Sequence, residues 1–236
     1  MKLEPRAIPD YVRIDRRGTS ALVHPEFAVA LSPAIFDGEG LRPTGYVGRS
    51  AIQSVDTPNG TVLIRQCRRG GALRNILRDK YLLHNRPRAE LSVHREAYRL
   101  GVATVLPVAV VWKRTGPLFS GSIATLQVEA TDLRRRMSEE GGVSPAELAA
   151  CGRAIWSMHA AGIVHADLNT MNLLVRGDEA WVIDFDKSHI VTEVGRLHAR
   201  DNFLRLRRSM LKHGVVLHFD SIVEAYEAAG GVKIPL

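Results

Sequence analysis

Two carboxylates and an amide flank a short apolar hairpin in the second half of the chain, and this arrangement limits the possible folds more than any other feature. The run His165-Ala166-Asp167-Leu168-Asn169-Thr170-Met171-Asn172 leads into Leu173-Leu174-Val175. Arg176-Gly177-Asp178-Glu179 supplies a turn, and Ala180-Trp181-Val182-Ile183 carries the chain back to Asp184-Phe185-Asp186-Lys187. Apolar runs of this length on either side of such a turn predict a β-hairpin. A hairpin brings its two ends back together, so Asp167, Asn172 and Asp184 are expected to converge. Hard oxygen donors suit a divalent cation, and a carboxylate beside them suits removal of a hydroxyl proton.

The order of these residues resembles the protein-kinase pattern H-R-D-L-x-x-x-N followed by D-F-G. That resemblance implies that Asp167 takes the proton of an acceptor hydroxyl, while Asn172 and Asp184 hold Mg²⁺ on the phosphates of ATP. An isolated H-x-D is common. The whole order with an apolar hairpin inside it is a far more specific signal.

A kinase of this kind also carries a cation on an earlier strand, the Lys of V-A-I-K. The matching tetrapeptide is Val62-Leu63-Ile64-Arg65, so Arg65 is assigned to the α/β-phosphates, against the plainer reading of a surface residue at a strand end. Arginine keeps the charge but presents a longer, planar fork. Its acidic partner is expected on the following helix. Glu90 and Glu96 both qualify by type but point to different faces; Glu90 is preferred, in the first turn, and Glu96 is read as solvated. Gly48 stands where a kinase would show G-x-G-x-x-G, and the amides around Gly48, Arg49 and Ser50 are read as an anion-binding nest with Arg49 adding charge. Glu129, in the linker Glu129-Ala130-Thr131-Asp132, completes the expected nucleotide-binding residues.

The chain of 236 residues, 45% hydrophobic and 24% charged, is ordinary for a globular protein. Its two cysteines, Cys67 and Cys151, lack metal-site spacing. No signal-peptide core or apolar run of membrane-spanning length is apparent, which predicts a soluble or peripheral protein. The net charge of +7 gathers in Arg65 to Arg88 and Arg196 to Lys212, pointing to anionic partners.

The first half reads as strands, among them Ser20-Ala21-Leu22-Val23, Ala28-Val29-Ala30-Leu31 and a hairpin turning at Pro58-Asn59-Gly60, with one helix from Arg88 to Gly101. Strands follow at Val105 to Trp112 and Ser122 to Val128. The second half reads as mainly helical. Ser144-Pro145-Ala146-Glu147 combines a capping box with a first-turn proline and predicts a helix ending at Gly162. Further helices are expected over Arg200 to His213 and Ser221 to Ala229. The expected fold is α+β and two-lobed, protein-kinase-like: residues 1–129 form a lobe with an antiparallel sheet and one helix, and residues 130–236 a compact, mainly helical lobe.

Several features depart from the protein-kinase pattern. Ala166 replaces the Arg that receives activation-loop phosphate, Asp186 replaces the Gly of D-F-G, and no A-P-E follows. These favour a compact kinase acting on a small molecule, sugar or lipid. The blocks Arg68-Arg69-Gly70-Gly71, Arg78-Asp79-Lys80-Tyr81, His165 to Asn169, Ile183 to Lys187 and Asn202 to Ser209 resemble the 3-deoxy-D-manno-octulosonic acid (Kdo) kinases of the bacterial lipopolysaccharide kinase family, over about Gly45 to Gly214. The resemblance implies ATP-dependent phosphorylation of a Kdo hydroxyl on a lipid A precursor, at the cytoplasmic face of the inner membrane. An anionic membrane surface is then the expected partner, and nucleic acid is not, since no nucleic-acid module signature is present. A heptose or small-molecule kinase of the same fold, and a basic pseudokinase or binding protein, are the alternatives.

Overall fold

The computed structural model describes residues 2–46, 51–67, 81–82, 85–116, 118–214 and 216–235, which contain thirteen strands and six α-helices. The chain divides into two compact units. One comprises Ile8–Arg95 and Leu106–Gln127; the other comprises Met1–Ala7, Glu96–Val105 and Val128–Leu236.

The first unit is built on an eight-stranded antiparallel sheet in the order β1-β2-β7-β8-β5-β4-β3, with β6 also on β8. Its strands are β1 (Val12–Arg16), β2 (Thr19–Val23), β3 (Arg42–Pro43), β4 (Ile52–Thr57), β5 (Gly60–Gln66), β6 (Tyr81–Leu82), β7 (Pro107–Thr115) and β8 (Leu118–Leu126). The expected hairpin at Pro58-Asn59-Gly60 joins β4 to β5, and Ile52 lies opposite Arg65. β5 also pairs with β8, where Arg65 faces Ile123, so the strand that presents Arg65 is held on both edges.

Residues 28–31 correct the strand expectation, since Pro25–Asp37 is a helix, α1. The apolar residues of this stretch follow a helical repeat once Phe27 is included: Phe27, Leu31 and Ala34 are buried on one face, whereas Val29 is exposed. Pro25 supplies a helix-compatible first turn. The buried face packs into a core with Val23, Val55, Val62, Val108 and Ala109.

Helix α2 spans Arg86–Arg99, beginning two residues before the expected start. Glu90 therefore sits in its second turn. Gly101 ends the segment with φ +83°, and a side chain there would meet the backbone oxygen of Glu4 at 2.2 Å.

The second unit carries the short strands β9 (Thr131–Asp132), β10 (Ile163–Val164), β11 (Leu173–Arg176), β12 (Glu179–Val182) and β13 (His189–Ile190). Its helices are α3 (Leu133–Ser138), α4 (Pro145–Ala160), α5 (Arg196–Lys212) and α6 (Phe219–Ala228). Thr131 and Asp132, read from sequence as part of a linker, pair with Val175 and Leu174. The capping box is formed at α4: Ser144 N–H donates to Glu147 Oε2 at 2.7 Å, and Glu147 N–H donates to Ser144 Oγ at 3.2 Å. Gly152 in α4 lets α6 approach closely, because a Cβ there would lie 2.5 Å from the carbonyl oxygen of Ile222. Among the described residues, no helix is long and apolar enough to cross a membrane.

Candidate active site

The hairpin expected between the acidic residues is β11–β12, with Leu173 opposite Val182 and Arg176 opposite Glu179. Leu173, Val175 and Val182 are buried, which anchors the hairpin. Beyond it, Ile183 N–H donates to the carbonyl of Asn172 at 3.0 Å, bringing the residue before Asp184 to the end of the loop that begins at His165.

That loop is fastened through its backbone. Asn172 Nδ2 donates to the Asp167 carbonyl at 2.8 Å, and Asn169 Nδ2 reaches the same oxygen at 3.0 Å. Asn169 Oδ1 accepts from Met171 N–H at 2.9 Å. Thr170 N–H donates to Ser209 Oγ at 3.2 Å, and the two hydroxyls lie 2.9 Å apart. The backbone around Asp167 is thus held on several sides, while its side chain is exposed and carries no hydrogen bond or ion pair among the described residues. A carboxylate held in place but unpaired can accept a proton from an incoming hydroxyl.

Asn172 commits its amide NH₂ to Asp167, so its Oδ1 is left as a donor atom for a cation. Asp184 adopts φ +65°, in the left-handed region that non-glycine residues rarely enter. Its neighbour Phe185 is fully buried, and Ser188 N–H donates to the Phe185 carbonyl at 3.0 Å. The chain is therefore pinned immediately after Asp184. Asparagine and aspartate oxygens are the donor set that Mg²⁺ prefers.

His165 ties the two halves of this region together. Asp167 N–H donates to His165 Nδ1 at 3.1 Å, so that nitrogen carries the lone pair. The proton is then on Nε2, which donates to the Ile183 carbonyl at 3.1 Å. Burial pushes the imidazole below its ordinary pKa, which favours the neutral ring that this pattern requires.

The structure also shows residues to which no role had been assigned from sequence. Asn202, fully buried on α5, donates from Nδ2 to the His165 carbonyl at 2.8 Å, while its Oδ1 accepts from His165 N–H at 3.2 Å. The same oxygen accepts from His159 Nε2 at 3.1 Å, and His159 Nδ1 then accepts from the Tyr226 hydroxyl at 3.0 Å. Burial lowers the His159 pKa to about 4 and raises that of Tyr226 to about 12. In the sequence Asn202 stands only at the head of the family-like block Asn202 to Ser209, with no role attached; the contacts themselves leave no motif, because their members lie on α4, α5 and α6 and one of the partners is backbone.

In the other unit, Arg65 donates to Glu90 Oε1 at 2.5 Å. The Glu90 side chain is 3% exposed and that of Arg65 is 29% exposed, so a nearly buried carboxylate meets a guanidinium that reaches solvent. Cys67 Sγ lies 3.9 Å from the other carboxylate oxygen. Glu96 is ion-paired with Arg99 at 2.6 Å, three residues along the helix. Glu129 is exposed, between β8 and β9. Gly48, Arg49 and Ser50 lie outside the described residues, as do Arg68-Arg69-Gly70-Gly71 and Arg78 to Lys80.

Comparison with known proteins shows the family. A profile of the lipopolysaccharide kinase (Kdo/WaaP) family matches residues 44–225. The chain is 33% identical over 208 residues to a 3-deoxy-D-manno-octulosonic acid kinase of Xanthomonas campestris pv. campestris, covering 82% of each chain. It is also 33% identical over 181 residues to a protein of the same name from Stenotrophomonas maltophilia, covering 74% of this chain and 72% of the relative. The matched region runs from just before β4 into α6 and takes in the pinned loop, the hairpin and the Arg65–Glu90 pair, and the chain belongs to the lipopolysaccharide kinase (Kdo/WaaP) family.

Proposed function

We propose that the protein transfers the γ-phosphoryl group of ATP to a hydroxyl of the Kdo sugar on a lipid A precursor, at the cytoplasmic face of the inner membrane. The observation that carries this reading is Asp167, whose backbone is fastened by His165, Asn169 and Asn172 while its carboxylate stays exposed and unpaired among the described residues. The names of the relatives support the sugar as acceptor. The two units are read as the sheet-rich and helix-rich lobes of a kinase.

In this reading Asp167 orients the acceptor hydroxyl and takes its proton as the acceptor oxygen bonds to the γ-phosphorus. The bond from that phosphorus to the bridging oxygen breaks, and ADP leaves. Asn172 Oδ1 and the Asp184 carboxylate are the donors that would hold Mg²⁺. Bound there, the ion supplies positive charge against the phosphate oxygens. Glu90 holds the Arg65 guanidinium in one orientation for the α/β-phosphates, and the segment at Glu129 receives the rest of the nucleotide. Little covalent chemistry is asked of the protein; positioning and charge do most of the work.

The test is incubation of the pure protein with ATP, Mg²⁺ and Kdo-lipid A, followed by mass analysis of the lipid, with a heptose-bearing acceptor run in parallel. The expected result is one added phosphate on the Kdo acceptor. Asp167→Asn should lose at least about 100-fold in turnover while still binding ATP. Phosphate on the heptose acceptor alone would reassign the substrate, and near wild-type turnover of the variant would overturn the role of Asp167.

A further inference from the structure

Helix α5 has two faces, and the active-site loop uses one of them. Ala199, Asn202, Phe203, Leu206 and Met210 are buried, with Asn202 and Ser209 holding His165 and Thr170. About half a turn away run Leu197, Leu204 and Leu211, each seven residues from the next and therefore in one stripe along the helix. Leu197 is 78% exposed and Leu211 is 52% exposed. Leu217, in the turn that follows α5, is exposed as well.

Basic residues line this stripe. By helical position Arg200 and Arg207 lie on one side, Arg205 and Lys212 on the other, and Arg208 between them. Together with Arg196, the helix carries six bases and one acid, Asp201. None of the six is ion-paired among the described residues. Leu204 and Leu211 line an open recess of about 320 Å³ with Asp201, Arg205, Arg207 and Arg208.

A single exposed leucine needs no explanation. Two exposed leucines on one stripe, with the half-buried Leu204 between them and bases that make no ion pair among the described residues on either side, do, because this is the pattern of a helix lying in a membrane interface. A water-soluble polyanion would use the bases but leave the leucines wet. A second copy of the chain would set two strongly positive faces against each other, which like-charge repulsion opposes. An anionic bilayer satisfies both halves of the pattern, with headgroups for the arginines and the acyl boundary for the leucines.

We propose that the outward face of α5 docks the protein onto an anionic lipid bilayer, with Leu197, Leu204 and Leu211 entering the headgroup–acyl boundary and Arg200, Arg207 and Arg208 meeting lipid phosphates. The proposal deepens the functional reading above and rests on it for its purpose, since a lipid-borne acceptor is met at such a surface. It adds an apolar contribution to the purely electrostatic attraction suggested by the basic composition. It also gives the helix a mechanical role: the inner face grips the catalytic loop, so docking fixes that loop about one helix diameter, roughly 10 Å, from the bilayer.

The test uses the full chain and vesicles of phosphatidylethanolamine with phosphatidylglycerol, or of phosphatidylcholine alone, in co-sedimentation at low and high salt. Wild type should prefer the anionic vesicles and keep part of its binding at high salt. Arg207→Glu with Arg208→Glu should lower low-salt binding at least about tenfold. Leu197→Ser with Leu211→Ser should lower it by about tenfold at both salt levels. Both variants should keep wild-type turnover on acceptor dispersed in detergent, which shows that they are folded. Equal wild-type binding to neutral and anionic vesicles, unchanged binding of the leucine variant, or a solution dimer that the leucine substitutions dissolve would each overturn the proposal. Vesicle binding without phosphorylation of Kdo-lipid A would sink only the functional reading, and phosphorylation in detergent without vesicle binding would sink only the docking face.

Discussion

One side chain, Asn202, holds both polar backbone groups of His165: its oxygen accepts from the His165 N–H at 3.2 Å and its nitrogen donates to the His165 carbonyl at 2.8 Å. A buried amide that is both donor and acceptor suits this task because neither a carboxylate nor an apolar group of similar size can make both bonds. His165 in turn fixes Asp167 N–H and Ile183 O through its ring. Asn202 is therefore a positioning residue for the loop.

Asn202→Leu should destabilise the protein by about 2–4 kcal/mol in urea unfolding, because it strands two backbone groups and one ring nitrogen in the interior. Asn202→Asp keeps the acceptor but faces the His165 carbonyl with a second oxygen, and it should lose kcat more than ATP affinity. Equal losses of both in Asn202→Asp would mark the residue as structural only.

Asp184→Asn and Asn172→Ala should each raise the Mg²⁺ concentration needed for half-maximal turnover, Asp184→Asn the more because it removes a charge. A Mg²⁺ titration at saturating ATP measures this directly. Unchanged titrations in both variants would place the cation elsewhere.

The Arg65–Glu90 pair should be asymmetric. Arg65→Met takes the guanidinium away from a carboxylate with a 3% exposed side chain and should cost about 1.5–3 kcal/mol, the worth of a hydrogen bond to a charged group. Glu90→Gln leaves a cation that still reaches water and should cost less. The double variant should recover part of the loss in Arg65→Met, a coupling that a double-mutant cycle in urea reads out. Additive losses would show that the pair does not interact.

His159 gives a pH dependence of definite sign. Its imidazole is held neutral, with its pKa lowered from 6.5 to about 4 by burial. As pH falls below 6.5 the unfolded chain takes up a proton that the folded chain refuses, so stability falls with pH until about 4, where the folded ring also titrates. The interval corresponds to about 3 kcal/mol. Urea midpoints between pH 7 and pH 4 should drop more steeply in wild type than in His159→Gln; identical slopes would remove His159 from the account.

The parts of the site that were legible in the sequence are those whose signal is local. Ser144 and Glu147 cap α4 because the capping box is a contact between near neighbours. The spacing of Asp167, Asn172 and Asp184 survives because a hairpin of fixed length lies between them. Glu90 meets Arg65 from the second turn, not from the first turn for which the sequence prefers it, because the helix starts at Arg86; Glu96, on another face, pairs with Arg99 instead. Residues 28–31 misled because an apolar stretch so short fits a strand or a helix equally well, and only the packing of Phe27, Leu31 and Ala34 decides. Asn202 heads a block that resembles the family, yet its contacts with His165 and His159, like that of His159 with Tyr226, are not legible there, because contacts between different helices leave no periodic trace in a single chain.

The left-handed backbone at Asp184 sets two demands against each other. A non-glycine residue at φ +65° carries a cost of about 1–3 kcal/mol that glycine would largely avoid. Asp184→Gly should therefore tolerate heat better than Asp184→Ala, while both lack the carboxylate assigned to the cation. A search for thermostable variants that ignored turnover would be drawn toward glycine at this position, away from catalysis.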